Sequence, residues 1–216
     1  LGQYFHLYDA NNWKKITEFA GLEPESAAAT INKLFEDKDS SSKHRAVENL
    51  RPLFNRLSEE MLDVGQARNR LRNLQWGGGF TSDDVDLLLR LYEGYLSTLR
   101  EARQTDFALL QREAFEVLQR FAGAGRVFRH VIVDEYQDTN YVQEQLFFRL
   151  AEGTGNICVV GDDDQALYRF RGATVENFVQ FPTRCQTYLG RTPRQISLNI
   201  NYRSRQRIVD FYTRFM

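Results

Sequence analysis

A chain of 216 residues with 42% apolar and 26% charged side chains has the balance of an ordinary globular protein of one or two domains, not of a disordered or fibrous one. Its 28 basic and 29 acidic side chains leave a formal charge of −1, so bulk electrostatics selects no partner. No run of about 18 apolar residues is present to span a membrane, two cysteines by themselves make neither a disulfide scaffold nor a four-ligand zinc site, and with three histidines a His-based metal site is not expected. The opening LGQYFHLYDA does not read as a secretory signal, and a reducing, cytoplasmic setting without membrane contact is the expectation.

Charge is unevenly placed. Residues 1–125 carry 16 basic and 19 acidic side chains, whereas residues 126–216 carry 12 and 10. All five lysines (Lys14, Lys15, Lys33, Lys38, Lys43) fall in the first fifth of the chain, and every later basic residue except histidine is arginine.

The first 125 residues read as helical. Trp13, Ile16 and Phe19 define a short helix with a glycine stop at Gly21. Pro24 suits the first turn of a second helix through Ile31, Leu34 and Phe35. The polar run 36–44 is a loop. From Ala46, apolar residues recur at three- and four-residue steps through Leu50, Phe54, Leu57, Met61 and Val64, with Pro52 as a kink or restart. WGGGF at 76–80 interrupts the chain, and Thr81 with Asp84 forms a capping-box pattern for a long periodic stretch from Val85 to Phe121.

Residues 126–216 change character. Three short β-rich runs, 130–134, 156–162 and 195–199, are unbroken apolar rather than alternating, as parallel strands covered on both faces are. Cys158 lies within the second and is expected to be buried as a small hydrophobe. Helical segments at 142–151 and 174–181 separate the strands. The order strand, helix, strand, helix, strand predicts a parallel α/β sheet with right-handed crossovers.

Ligands of such a sheet gather beyond the carboxyl ends of its strands, and all three runs end in polar chemistry. The first leads into Asp134-Glu135-Tyr136-Gln137-Asp138, the second into Gly161-Asp162-Asp163-Asp164-Gln165, and the third into Asn201-Tyr202-Arg203-Ser204. An apolar strand ending in two carboxylates matches a nucleotide–Mg²⁺ site, in which one carboxylate holds hydrated metal and the other polarises water; a solvated acidic turn is the plainer alternative. The Gln165 amide can bond a phosphate oxygen and a water together, and the planar Arg203 cation suits a phosphate. Tyr202 can stack on a base. Tyr168, Phe170 and Arg171 alternate aromatic with cation, as in grips on single-stranded nucleic acid, although their rings could equally fold back on the sheet.

VIVDEYQDTN (131–140), VVGDDDQALYRFRGA (159–173) and LNINYRS (198–204) resemble motifs II, III and IV of the UvrD/Rep-like superfamily 1 DNA helicases, in family order. Upstream, 95–110 resembles the segment returning from the helical 1B subdomain, with Ala108 where the family usually has Asp. The resemblance implies a partial RecA-like parallel sheet of a P-loop NTPase motor over 126–216, ending at the start of the second motor domain, and a helical 1B-like insertion over 1–125. It implies that Asp134 binds Mg²⁺, Glu135 is the general base, and Gln165 and Arg203 contact the γ-phosphate of ATP. Tyr202 would stack on adenine. Tyr168 and Phe170, the latter in place of the usual Trp, would stack on DNA bases, with Arg171 holding that loop or the DNA. The implied partners are single-stranded DNA, single/double-strand junctions and the remainder of the helicase chain; the implied direction is 3′–5′.

One part is missing. A motor of this kind needs GxxxxGK followed by Ser or Thr, and no lysine here stands in that context. The expectation is an internal slice of a larger ATP-dependent helicase, inactive alone. The alternatives are a non-catalytic helicase-like module that binds DNA or protein, and a helicase–nuclease subunit.

Overall fold

The computed structural model describes residues 6–36, 41–72, 80–121, 123–162 and 175–214. Trp76–Gly79 of the glycine-rich break and part of the 36–44 loop lie outside them.

Helix α1 (Ala10–Phe19) starts at Asp9, whose carboxylate accepts the N–H groups of Asn11 and Asn12 at 2.9 and 3.0 Å. It ends at the expected glycine. Gly21 takes φ 77°, which lets Leu22 N–H reach the Thr17 carbonyl at 2.8 Å and Gly21 N–H that of Glu18 at 3.0 Å. Helix α2 (Pro24–Leu34) opens on its proline. Helix α3 (Lys43–Glu59) runs through Pro52, and the periodic stretch breaks later, where Met61 turns to φ 53°. Helix α4 (Val64–Arg72) follows. The long stretch after Thr81 is two helices. Helix α5 (Ser82–Ala102) begins with the Thr81–Asp84 capping box, and Arg103, at φ 53°, ends it before Asp106 caps α6 (Phe107–Arg120).

These helices bury one apolar cluster that includes Ile16, Ile31, Leu50, Phe54, Leu91 and Tyr95. The Phe54 ring lies 5.0 Å from that of Tyr95 and 5.4 Å from that of Tyr92. Both buried tyrosines satisfy their hydroxyls, as apolar surroundings demand. Tyr92 pairs with Ser58 at 2.8 Å, and Tyr95 donates to Asp106 at 2.6 Å.

A second cluster surrounds a parallel pair of strands. Strand β1 (Val131–Val133) crosses through helix α7 (Tyr141–Ala151) to β2 (Ile157–Val159), in the register Val131↔Ile157, Ile132↔Cys158 and Val133↔Val159. Helix α8 (Val175–Leu189) extends well beyond the expected 174–181, and its Phe181 and Cys185 pack against Val133, Tyr136 and Phe148. A last helix, α9, spans Gln206–Tyr212.

Three expectations need correction. Among the described residues the sheet has two strands, because 195–199 pairs with neither of them and leaves Ile196 and Leu198 exposed. Among the described residues the two strands are covered on one face only: Val131, Val133, Ile157 and Val159 face the helices, while the intervening register pair, Ile132 and Cys158, points outward, Ile132 at 74% exposure. Cys158 is therefore exposed, and the buried thiol is Cys185, whose pKa burial pushes up to about 11. An unbroken apolar strand signals that both faces are fit for burial, and the described residues cover one of them. No described helix is long and apolar enough to cross a membrane.

The helices meet the strand unit chiefly through α6 and α7, and Glu59, in the last turn of α3, faces Asn140 at the edge of that contact. Burial lifts its carboxyl from 4.5 to about 7, against the opposing pull of Arg56 and a hydrogen bond to Asn140. Because the folded state holds this proton more tightly than the unfolded chain, its contribution is full below the unfolded pKa and is lost as pH rises through about 7. Glu59→Gln is expected to flatten that decline between about pH 5 and pH 8. Urea unfolding at each pH checks this, and parallel stability curves for the two proteins would contradict it.

Candidate active site at the strand ends

The backbone beyond β1 stays tied to its neighbour. Val160 N–H donates to the Val133 carbonyl at 2.8 Å, and Tyr136 N–H to the Val160 carbonyl at 3.0 Å. Between these bonds Glu135 adopts φ 51°, ψ 44°, a left-handed conformation that costs a non-glycine residue about 1 kcal/mol or more. That reversal starts a 3₁₀ turn at Tyr136–Asp138. Asp134 and Glu135 are left exposed at the strand end while Tyr136 and Gln137 turn inward, at 0% and 2% exposure.

Asp134 Oδ1 accepts the Glu135 N–H at 3.0 Å, and its second oxygen carries no hydrogen bond among the described residues. Mg²⁺ sites commonly use one or two carboxylates and keep several waters, so a single open carboxylate at a strand end suits such a cation held jointly with phosphates. Among the described residues no group of three or more His, Cys, Asp or Glu side chains is arranged to cage a metal alone.

Gln137 joins the two strand ends. Its Nε2 donates to Glu135 Oε2 at 2.7 Å, and its Oε1 accepts the Asp162 N–H at 3.1 Å. Beneath this turn, the Tyr136 hydroxyl donates to Glu144 Oε1 at 2.7 Å, and Arg184 of α8 donates to Glu144 Oε2. Glu144 is fully buried, which raises its carboxyl pKa despite Tyr136 and Arg184. Burial and the neighbouring carboxylate likewise drive the Tyr136 phenol upward, so it stays a donor. Asp138 buries one carboxylate oxygen that finds no partner among the described residues. Asn140, which ends the segment, caps α7 through Gln143 and donates to Gln111 of α6 at 3.3 Å.

The structure thus brings Asp134 and Glu135 beside the exit of β2 at Gly161–Asp162. Gln165, Tyr168, Phe170 and Arg171 lie outside the described residues. Tyr202 and Arg203 stand exposed in the C-terminal segment, where Asn201 Oδ1 accepts the N–H groups of Arg203 and Ser204 at 3.0 and 2.9 Å. Neither is in hydrogen-bonding contact with Asp134 or Glu135. Sequence reasoning missed Gln137 and the Tyr136–Glu144–Arg184 group. An amide inside a run of carboxylates was the available signal for Gln137; nothing local marks Glu144, whose cationic partner is 40 residues away.

A helical region joined to a parallel β-α-β unit, with a carboxylate pair at the end of its first strand, places the chain among α/β proteins whose ligand sites lie beyond the carboxyl ends of the strands. A family model describing the UvrD/REP helicase N-terminal domain matches residues 1–186, and the chain belongs to that family. It is similar to the ATP-dependent DNA helicase UvrD1 of Mycobacterium tuberculosis, 33% identical over 97% of this chain and 25% of the relative. It is also similar to DNA helicase II of Haemophilus influenzae (32% identical, 82% of this chain, 25% of the relative) and to the ATP-dependent DNA helicase PcrA of Bacillus subtilis (37%, 55% and 16%). The chain spans about a quarter of the length of the first of these relatives.

Proposed function

We propose that this chain is the portion of an ATP-dependent DNA helicase or translocase, moving 3′–5′ on single-stranded DNA, that supplies the hydrolytic carboxylates and the coupling loop of the motor. Residues 1–125 serve as the helical 1B-like insertion, and 126–216 as a RecA-like motor portion ending at the start of the second motor domain. The observation that carries this reading is the pair Asp134–Glu135 at the end of β1, held against Asp162 at the end of β2 by one buried amide.

In the proposed reaction Asp134 holds Mg²⁺, which neutralises phosphate charge when bound. Glu135 takes the proton of the attacking water through the carboxylate oxygen left open by Gln137. Gln165 bonds the γ-phosphate and that water, Arg203 stabilises the charge that develops, and Tyr202 stacks on adenine. Tyr168, Phe170 and Arg171 contact the tracked strand, so bases stack on aromatic faces while the cation meets backbone phosphate. The partners are single-stranded DNA, strand junctions and the rest of the helicase chain.

Because no lysine-bearing phosphate loop occurs in residues 1–216, this chain alone is expected neither to bind ATP tightly nor to hydrolyse it. The test is ATP turnover, with and without single-stranded DNA, in the isolated chain and in the complete gene product. Turnover confined to the complete product supports the proposal. Turnover by the isolated chain above its own Glu135→Gln control would contradict the expected inactivity, and a complete product without GxxxxGK would favour a non-catalytic binding module.

A further inference from the structure

We propose that Gln137 is a positioning residue that makes the orientation of Glu135 depend on the position of Asp162, at the exit of β2. The inference rests on the reading of Glu135 as general base and adds to it a physical link between that base and the exit of the second strand.

The assignment of the amide follows from its partners. A backbone N–H can only donate, so the atom 3.1 Å from Asp162 N is the Gln137 oxygen, and the amide NH₂ is left to face the Glu135 carboxylate at 2.7 Å. Gln137 itself is only 2% exposed, so its amide depends on these two part-buried bonds, one to the exposed Glu135 and one to the half-buried Asp162. The approach of the two strand ends is also sterically tight. A Cβ on Gly161 would stand 2.4 Å from Gln137 Oε1 and 3.3 Å from Tyr136 N, so any other residue there would displace either the amide or the turn.

Glu135 has no freedom to follow a new partner without cost. Its left-handed backbone is fixed between the Val160–Val133 and Tyr136–Val160 hydrogen bonds, and Tyr136 beside it is locked into the core by Glu144. The side chain is therefore the adjustable part. With Oε2 committed to Gln137, Oε1 is directed by the same amide that holds Asp162. A shift of Asp162 pulls on Oε1 of Gln137, rotates the amide and withdraws the donor from Glu135. One side chain thus converts the position of the second strand's exit into the aim of the carboxylate at the first.

Two substitutions in the complete gene product separate the effects. Gln137→Glu keeps an acceptor for Asp162 N–H but replaces the donor with a second carboxylate against Glu135. Gln137→Met removes both bonds at similar volume. Each is expected to lower DNA-stimulated kcat by about tenfold or more, with KM for ATP changed by less than about twofold. Hydrogen exchange at the Asp162 amide is expected to quicken in the Met variant and hold in the Glu variant, while the Val160 amide stays protected in both. Should Gln137→Met fail to fold, the Glu variant carries the kinetic comparison.

Wild-type kcat in a folded Gln137 variant, with Glu135→Gln inactive, would overturn the positioning role and leave Glu135 as base. Wild-type turnover in Glu135→Gln would instead overturn the reading on which the role rests. Unchanged Asp162 exchange in Gln137→Met would likewise overturn the link to the second strand's exit.

Discussion

Replacing Glu135 by Gln in the complete gene product is expected to lower DNA-stimulated ATP turnover by about 10²–10⁴-fold, the range a positioned general base supplies. The substitution keeps the size of the side chain and its acceptor toward Gln137, so the turn at 135–138 should survive. What disappears is the basic oxygen. KM for ATP should change little, because the carboxylate acts on water and not on the bound nucleotide. Thermal unfolding within a degree or two of the parent would confirm that the loss is chemical. Retention of more than about a tenth of the parental turnover would remove Glu135 from the mechanism.

Arg184→Met is expected to destabilise the chain by about 3–5 kcal/mol, through Glu144. Glu144 is fully buried, so removal of its cationic partner leaves an uncompensated carboxylate with only the Tyr136 hydroxyl to satisfy it. Burial already raises the pKa of this carboxyl, and loss of the arginine, which opposes that rise, should raise it further. The sign for pH follows. A carboxyl whose folded pKa is raised loses stability as pH increases through that value, so the Arg184→Met defect should be smaller near pH 5 than near pH 8. Urea unfolding at both pH values measures it. The double variant Glu144→Met/Arg184→Met should recover most of the loss, since replacing a buried ion pair by apolar groups is commonly near neutral. A defect below about 1 kcal/mol in the single variant, or one independent of pH, would show that Arg184 does not balance Glu144.

Both outcomes depend on contacts of different visibility in the sequence. The helix limits at Gly21, Pro24 and Thr81 were legible because caps and stops act within three or four residues. The split at Arg103 was not, because apolar periodicity continues across it and only Asp106 marks the restart. Asp134 and Glu135 were visible as carboxylates at the end of an apolar run. Their relation to Asp162 was not, since it runs through a glutamine whose two partners lie two and 25 residues away. The expected third strand failed for a related reason: apolar β-rich composition shows that a segment is fit to pair, and pairing also needs a neighbour with an open edge in reach. Cys158 was misplaced because an unbroken apolar run does not say which strand face the rest of the molecule covers.

The most direct test of the account is a crystal structure of the complete gene product with Mg²⁺, a non-hydrolysable ATP analogue and oligothymidylate. Asp134 should meet the metal directly or through water, and Glu135, Gln165 and Arg203 should surround the γ-phosphate end of the analogue. A nucleotide bound elsewhere, or Arg203 and Gln165 remote from the carboxylates that end β1, would contradict it.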